Sequence, residues 1–176
     1  MNPAHSHAPV SQQSSRLSSW FAAAAAGLLG LVALAIPAPA QAALSGNLGL
    51  RDVSRLIESD GRFYIYGTGG GGKSTADGLV FENLPTSPPW VLSYQPGNQR
   101  IWAPDVIYVD GRYYLYGSMW SETDPKKASV ITLLTSPSLN PATAKWKDEG
   151  VVISGPSGVT HSVIDPSPII DPEGNL

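Results

Sequence analysis

The sequence contains no cysteine, so neither disulfides nor thiolate-held metal can stabilise it, and its stability has to come from a packed core or from repeated sheets. Charge is sparse, at 14% of residues, and there is no basic cluster. After Ala42 no segment repeats apolar residues at a sustained 3.6-residue period. Sixteen prolines and eighteen glycines in the chain further oppose long helices. What remains is a chain of strands and turns. Only one histidine, His161, lies beyond Ala42.

Long apolar runs are also scarce, and the exception is at the N-terminus. Residues 1–42 carry a single charged side chain, Arg16, and then the run WFAAAAAGLLGLVALAI from Trp20 to Ile36. Pro37 and Pro39 follow, and then the small-residue triplet Ala40-Gln41-Ala42. This is the pattern of an export signal cleaved after Ala42, which places the mature chain, residues 43–176, in the periplasm or the medium. The alternative is an uncleaved membrane anchor, for which a run of this length is marginal against roughly 30 Å of hydrocarbon. Residues 43–176 hold ten Lys and Arg against fourteen Asp and Glu. An acidic balance without a basic stripe excludes nucleic acid as a partner, and cleavage would leave no membrane attachment.

Within the mature part the sequence repeats itself. IESDGRFYIYGTGG (Ile57 to Gly70) and IYVDGRYYLYGSMW (Ile107 to Trp120) align with a shift of 50 positions. Each copy places an Asp-Gly pair, Asp60-Gly61 or Asp110-Gly111, between an apolar-rich strand and an aromatic one, and this spacing predicts a two-residue β-hairpin. A third copy begins at DPSPIIDPEG (Asp165 to Gly174), which matches DVSRLIESDG (Asp52 to Gly61). Aspartates 52, 105 and 165 thus precede the three hairpins. Further strands are expected at Gly78–Leu84, Ser129–Ser136 and Gly150–Ser154. A unit of 50 to 60 residues made of strands and turns is the size of a four-stranded propeller blade and too long for the strand spacing of a β-sandwich. Closed propellers need about four to eight blades, so the chain is expected to be a truncated piece with two complete units and the start of a third, the alternative being an oligomer that completes the ring.

One motif points elsewhere. GTGGGGKS (Gly67 to Ser74) satisfies the phosphate-loop pattern G-x-x-x-x-G-K-S/T. That loop requires a helix after the lysine, whose N-terminal N–H groups help cradle phosphate. The continuation TADGLVFENLP reads as turn and strand, so the glycines are assigned to a flexible loop instead.

RDVS (Arg51 to Ser54), WAPDV (Trp102 to Val106) and VIDPS (Val163 to Ser167), in this order and spacing, resemble the recurring motifs of glycoside hydrolase family 43. With the hairpin texts and TSPSLNPATAKW (Thr135 to Trp146), the likeness is to endo-1,5-α-arabinanases and related arabinosidases, and it extends over about residues 51–176. The resemblance implies an all-β, five-bladed propeller of which about the first two to two and a half blades are present. The implied enzyme is an inverting hydrolase of arabinan or a related pentose polysaccharide. By the same likeness Asp52 matches the general base, Asp165 matches the aspartate that orients the acid and raises its pKa, and Trp102 is a candidate for stacking on sugar. Asp105 belongs to a motif that is largely architectural.

The family's third essential group, a glutamate acting as general acid, has no counterpart in context among Glu58, Glu82, Glu122, Glu149 and Glu173. The 176-residue product is therefore expected to lack glycosidase activity. A non-catalytic carbohydrate-binding propeller is the competing reading. Two positions depart from the pattern: Arg51-Asp52-Val53 where many members have His-Asp-Pro, and Ser162 where arabinanase-like sequences often have Asn. His161 lies close enough in sequence to contact substrate, although a lone loop histidine is more often simply solvated. Some members hold a metal ion near the propeller axis, so the likeness admits one here, while the sequence itself forms no ligand cluster.

Overall fold

The computed structural model describes residues 42–176 apart from residues 96, 98, 99, 122, 125 and 160. The export-signal reading, Ala42 excepted, lies outside the described residues. Nine strands form two sheets, and the only helical element among the described residues is one 3-10 turn at Leu92–Tyr94. The fold is all-β. No described helix is long and apolar enough to cross a membrane.

The first sheet contains β1 (Ser45–Gly46), β2 (Ile57–Ser59), β3 (Arg62–Tyr66), β4 (Gly72–Thr75) and β5 (Val80–Asn83), in the spatial order β1-β5-β4-β3-β2. The second is a meander of β6 (Trp102–Val109), β7 (Arg112–Met119), β8 (Val130–Ser136) and β9 (Lys147–Ser154). The Asp-Gly pairs close both hairpins as expected, with Ser59 opposite Arg62 and Val109 opposite Arg112. Their φ angles are all positive, 51° and 72° at Asp60-Gly61 and 47° and 80° at Asp110-Gly111. Positive φ at both central residues marks a type I′ turn, whose twist matches that of the strands it joins.

The glycine run departs from expectation, because only its first part is a loop. Gly67 to Gly71 forms a tight turn, and Gly72 then opens β4, which pairs with β3 from Tyr66↔Gly72 to Phe63↔Thr75. A Cβ built on Gly72 would lie 2.8 Å from both the Ile65 carbonyl oxygen and Tyr66 Cδ1, so a larger residue could not pack at this point. Within the loop, Gly67 N–H donates to Gly71 O, Thr68 N–H to Arg51 O, Gly69 N–H to Ile101 O and Gly70 N–H to Gly67 O. Four of the amides that a phosphate loop would offer, those of residues 67–70, are already occupied, and a strand follows instead of a helix.

The third copy forms its turn without its strands. Asp171 accepts from the Asn175 amide (2.7 Å) and side chain (3.0 Å), and Gly174 has φ 88°. No strand is present among the described residues after Ser154. Only Asn175 and Leu176 follow the turn, too few residues to pair as a second hairpin strand.

Alternation along β3 sends Tyr64 and Tyr66 toward the second sheet, where they join Val106, Tyr113, Leu115, Leu134 and Leu139 in one buried cluster. Every residue of β8 is buried, whereas β9 is mostly exposed. Polar contacts tie the two sheets together. The Tyr113 hydroxyl donates to Glu58 O (2.7 Å), Leu139 N–H to Ser59 Oγ (3.0 Å), and Ser138 Oγ to Asp60 Oδ2 (2.5 Å).

Candidate active site

Three chain segments lead into the repeated hairpins, and each passes through a left-handed residue: Asp52 (φ 45°), Ala103 (φ 34°) and Asp165 (φ 54°). Aspartate tolerates this backbone because its short polar side chain can bond locally, while alanine there is strained. Asp52 and Asp165 are therefore structural equivalents. Asp105 does not share their position. The second unit's counterpart of Asp52 is the Trp102-Ala103 pair, and Asp105 corresponds to Arg55, each lying six residues before the hairpin glycine.

Two hydroxyls hold these segments together, and they are repeat partners 50 residues apart. Thr68 Oγ1 donates to Asp52 Oδ2 (2.8 Å) and accepts from Ala103 N–H (3.0 Å). Ser118 Oγ donates to Trp102 O (2.9 Å) and accepts from Asp165 N–H (3.2 Å). In each case a hydroxyl at the end of a unit's second hairpin strand binds the start of its own unit and the start of the next. The glycine before each hydroxyl permits the approach. A Cβ on Gly67 would fall 2.5 Å from Leu50 Cγ, and one on Gly117 would fall 2.6 Å from Ile101 Cγ2.

Behind the aspartates, Arg55 and Asp105 pair across the two units. Arg55 Nη2 lies 2.7 Å from Asp105 Oδ2, and Arg55 Nε lies 3.2 Å from both carboxylate oxygens. Asp105 Oδ1 also accepts the backbone N–H of Arg55 (3.0 Å) and of Val106 (2.9 Å). The same guanidinium reaches the third unit, donating to Pro168 O at 2.8 Å. Positions 55, 105 and 168, repeat equivalents in sequence, thus meet in space. Thr68, Ser118 and Arg55 were not singled out from the sequence. The 50-residue repeat was the signal for the first two, since IYGTGG and LYGSMW place a hydroxyl residue at the same step.

The result is a hollow of about 250 Å³ lined by Asp52, Arg55, Asp105, Asp165, Pro166 and Ser167 among others. A neighbouring one of about 300 Å³ is lined by Arg51, Asp52, Thr68, Arg100 and Trp102. Asp52 borders both. Trp102 is half-buried; its ring meets Trp120 edge to face and lies parallel to His161, with 6.3 Å between centroids. His161 in turn meets Trp120 edge-on at 4.7 Å. Ser162 faces elsewhere, donating to Val159 O (3.2 Å).

No described glutamate lines either hollow. Glu82 pairs with Arg62, Glu149 with Lys147, Glu58 is exposed on β2, and Glu173 sits in the terminal turn; Glu122 is outside the described residues. An axial metal ion would need several His, Asp or Glu ligands together, and no such group of three exists among the described residues. The Arg55 guanidinium, between Asp105 and Pro168, is itself the cation that Asp105 faces.

The model of glycosyl hydrolases family 43 matches residues 82–176, more than half of the sequence. The chain belongs to this family. The extracellular endo-α-(1→5)-L-arabinanase 1 of Bacillus subtilis (strain 168) is 35% identical over 170 residues, covering 88% of this chain and 49% of that protein. Among solved structures, the GH43 endo-arabinanase from Bacillus licheniformis superposes with TM-score 0.62 at 32% identity, over 76% of this chain and 47% of that one. The Cellvibrio cellulosa α-L-arabinanase complexed with arabinohexaose does so with TM-score 0.56 at 26% identity, over 71% and 42%. The chain thus spans about half the length of these family members.

Proposed function

We propose that this chain is the base-bearing part of a secreted, inverting family 43 hydrolase of arabinan, built as a five-bladed propeller of which the two sheets and the following turn are about the first two to two and a half blades. The observation that carries this reading is the convergence of Asp52 and Asp165, 113 residues apart, on one hollow beside Trp102. Support for the substrate comes from relatives named as arabinanases and from one solved with arabinohexaose.

Inversion requires one carboxylate to activate water and a second carboxyl group to protonate the leaving oxygen, about 6.5–9.5 Å away. Asp52 suits the first role, because Thr68 holds Oδ2 while Oδ1 has no protein partner among the described residues and is left to orient water. Asp165 suits the modulating role, since its negative charge near a glutamic acid would favour that acid's protonated form. The described glutamates do not supply the acid. The same fact favours, as a second reading, a module that binds glycan without cutting it.

Linear 1,5-α-arabinan and arabinohexaose separate the two. The chain by itself is expected to bind arabinohexaose, to lose that binding in Trp102→Ala, and to release no reducing ends. In a polypeptide where these residues are joined by a glutamate-bearing blade, hydrolysis should appear and fall about a thousandfold in Asp52→Asn. Turnover by the chain alone would contradict the assignment of roles. The proposed export signal predicts a secreted product whose N-terminal residue is Ala43, read by mass spectrometry.

A further inference from the structure

Two arginines, Arg51 and Arg100, line the hollow of about 300 Å³ that Asp52 and Trp102 border, and Arg51 is a position at which the chain departs from the family pattern. Arg55, Arg62 and Arg112 each donate to a described side chain. Arg51 is exposed, and among the described residues its side chain takes part in no ion pair and donates no hydrogen bond. Its backbone is nonetheless fixed, because its carbonyl accepts the Thr68 N–H at 2.9 Å. The guanidinium is thus carried on a long flexible stem anchored at the wall of the hollow, within reach of a group bound there.

Charge divides the two hollows. The one of about 250 Å³ is lined by Asp52, Asp105 and Asp165 against Arg55, which is already bound to Asp105. The one of about 300 Å³ sets Arg51 and Arg100 against Asp52, so its lining is positive in a mature chain whose balance is acidic. A linear arabinan is neutral and offers Arg51 no counter-charge. A carboxylate does, because the planar guanidinium fork can bond both of its oxygens at once. At roughly 30 Å³ per water-sized group the space holds about ten such groups, the scale of a single sugar ring with its substituents. We propose that this hollow binds a uronic acid residue, its carboxylate meeting Arg51 and Arg100 and its ring lying beside Trp102, so that the preferred glycan is an arabinan bearing uronic acids. This specificity rests on the reading of the two hollows as a glycan site.

The test is calorimetric titration of the full chain with digalacturonate, with its dimethyl ester as the neutral counterpart, and with arabinohexaose. Digalacturonate is expected to bind at least about tenfold more tightly than the ester, the scale of one charge-assisted hydrogen bond. That ratio should shrink in about 1 M salt. Arg51→Gln should bring it close to one, while Arg51→Lys, which keeps the charge, should retain part of it. Arg100→Gln should also lower it, so the test does not depend on one variant folding. Equal affinity for acid and ester, a ratio unchanged in folded Arg51→Gln, or no saturable binding of digalacturonate overturns the proposal. Arabinohexaose binding without a preference for the acid overturns this specificity alone. Preference for the acid without arabinohexaose binding overturns the arabinan reading and leaves the carboxylate site standing, and binding of neither overturns both.

Discussion

Replacing Arg55 with Met removes the guanidinium that bridges all three units and keeps much of the side-chain volume. Asp105 then retains two backbone N–H donors on Oδ1 and loses every partner on Oδ2, with its side chain only 12% exposed. Breaking a fully buried pair costs about 3–5 kcal/mol, and an exposed pair contributes about 0–1 kcal/mol. The Arg55 side chain is 38% exposed, which places the expected loss between these limits, at about 2 kcal/mol. With a urea slope of about 1.5 kcal/mol/M, the midpoint should fall by about 1.3 M, followed through the fluorescence of the chain's tryptophans. Asp105→Asn leaves an acceptor and should cost less. In the double variant the two losses should add to less than their sum, because the orphaned charge is gone. The loss should also persist in 1 M salt, where a surface pair would be screened. A loss below about 0.5 kcal/mol, or one that vanishes in salt, would refute the account of Arg55 as the clamp between units.

The hydroxyl links predict that Ser118→Ala, which strands the Trp102 carbonyl and the Asp165 amide, costs about 1–3 kcal/mol, and that hydrogen exchange at Asp165 N–H accelerates. Gly67→Ala forces a Cβ against Leu50 and the Arg51 carbonyl and should cost at least about 1–3 kcal/mol in thermal melts; a neutral result would mean that the approach is looser than described. Tyr66 carries a buried hydroxyl with no partner among the described residues, so Tyr66→Phe should be neutral or stabilise by up to about 1 kcal/mol. Burial also raises the Tyr66 hydroxyl well above the ordinary tyrosine value of 10.0. Its contribution is fully present below pH 10 and is lost as pH rises above that, because the unfolded chain releases a proton that the folded one retains. Alkaline urea titrations should therefore show a shallower loss of stability in Tyr66→Phe than in the wild type.

How much could be read in advance depended on the range of the interaction. Asp60-Gly61 and Asp110-Gly111 dictate their hairpins within four residues, since positive φ at both central positions is a local property. The repeat then carried that local reading along the chain and identified Asp52 and Asp165 as equivalents. The same repeat grouped Asp105 with them, and spacing alone could not correct this, because the distinction lies in which side chain meets which across two sheets. The glycines from Gly67 to Gly72 read as loop because glycine has no strand preference of its own, and only the close approach to Ile65 and Tyr66 makes Gly72 the start of β4.

The amino-acid sequence by itself determined the turns, most of the strands, the all-β class and the two aspartates of the site. Tertiary structure alone decided that Arg55 clamps Asp105 and the third unit, that Thr68 and Ser118 staple one unit to the next, and that Lys73 is buried and held by Asn47 and Asn83. These contacts join residues 10 to 113 positions apart, so they depend on how twisted sheets stack and not on any local preference of the chain.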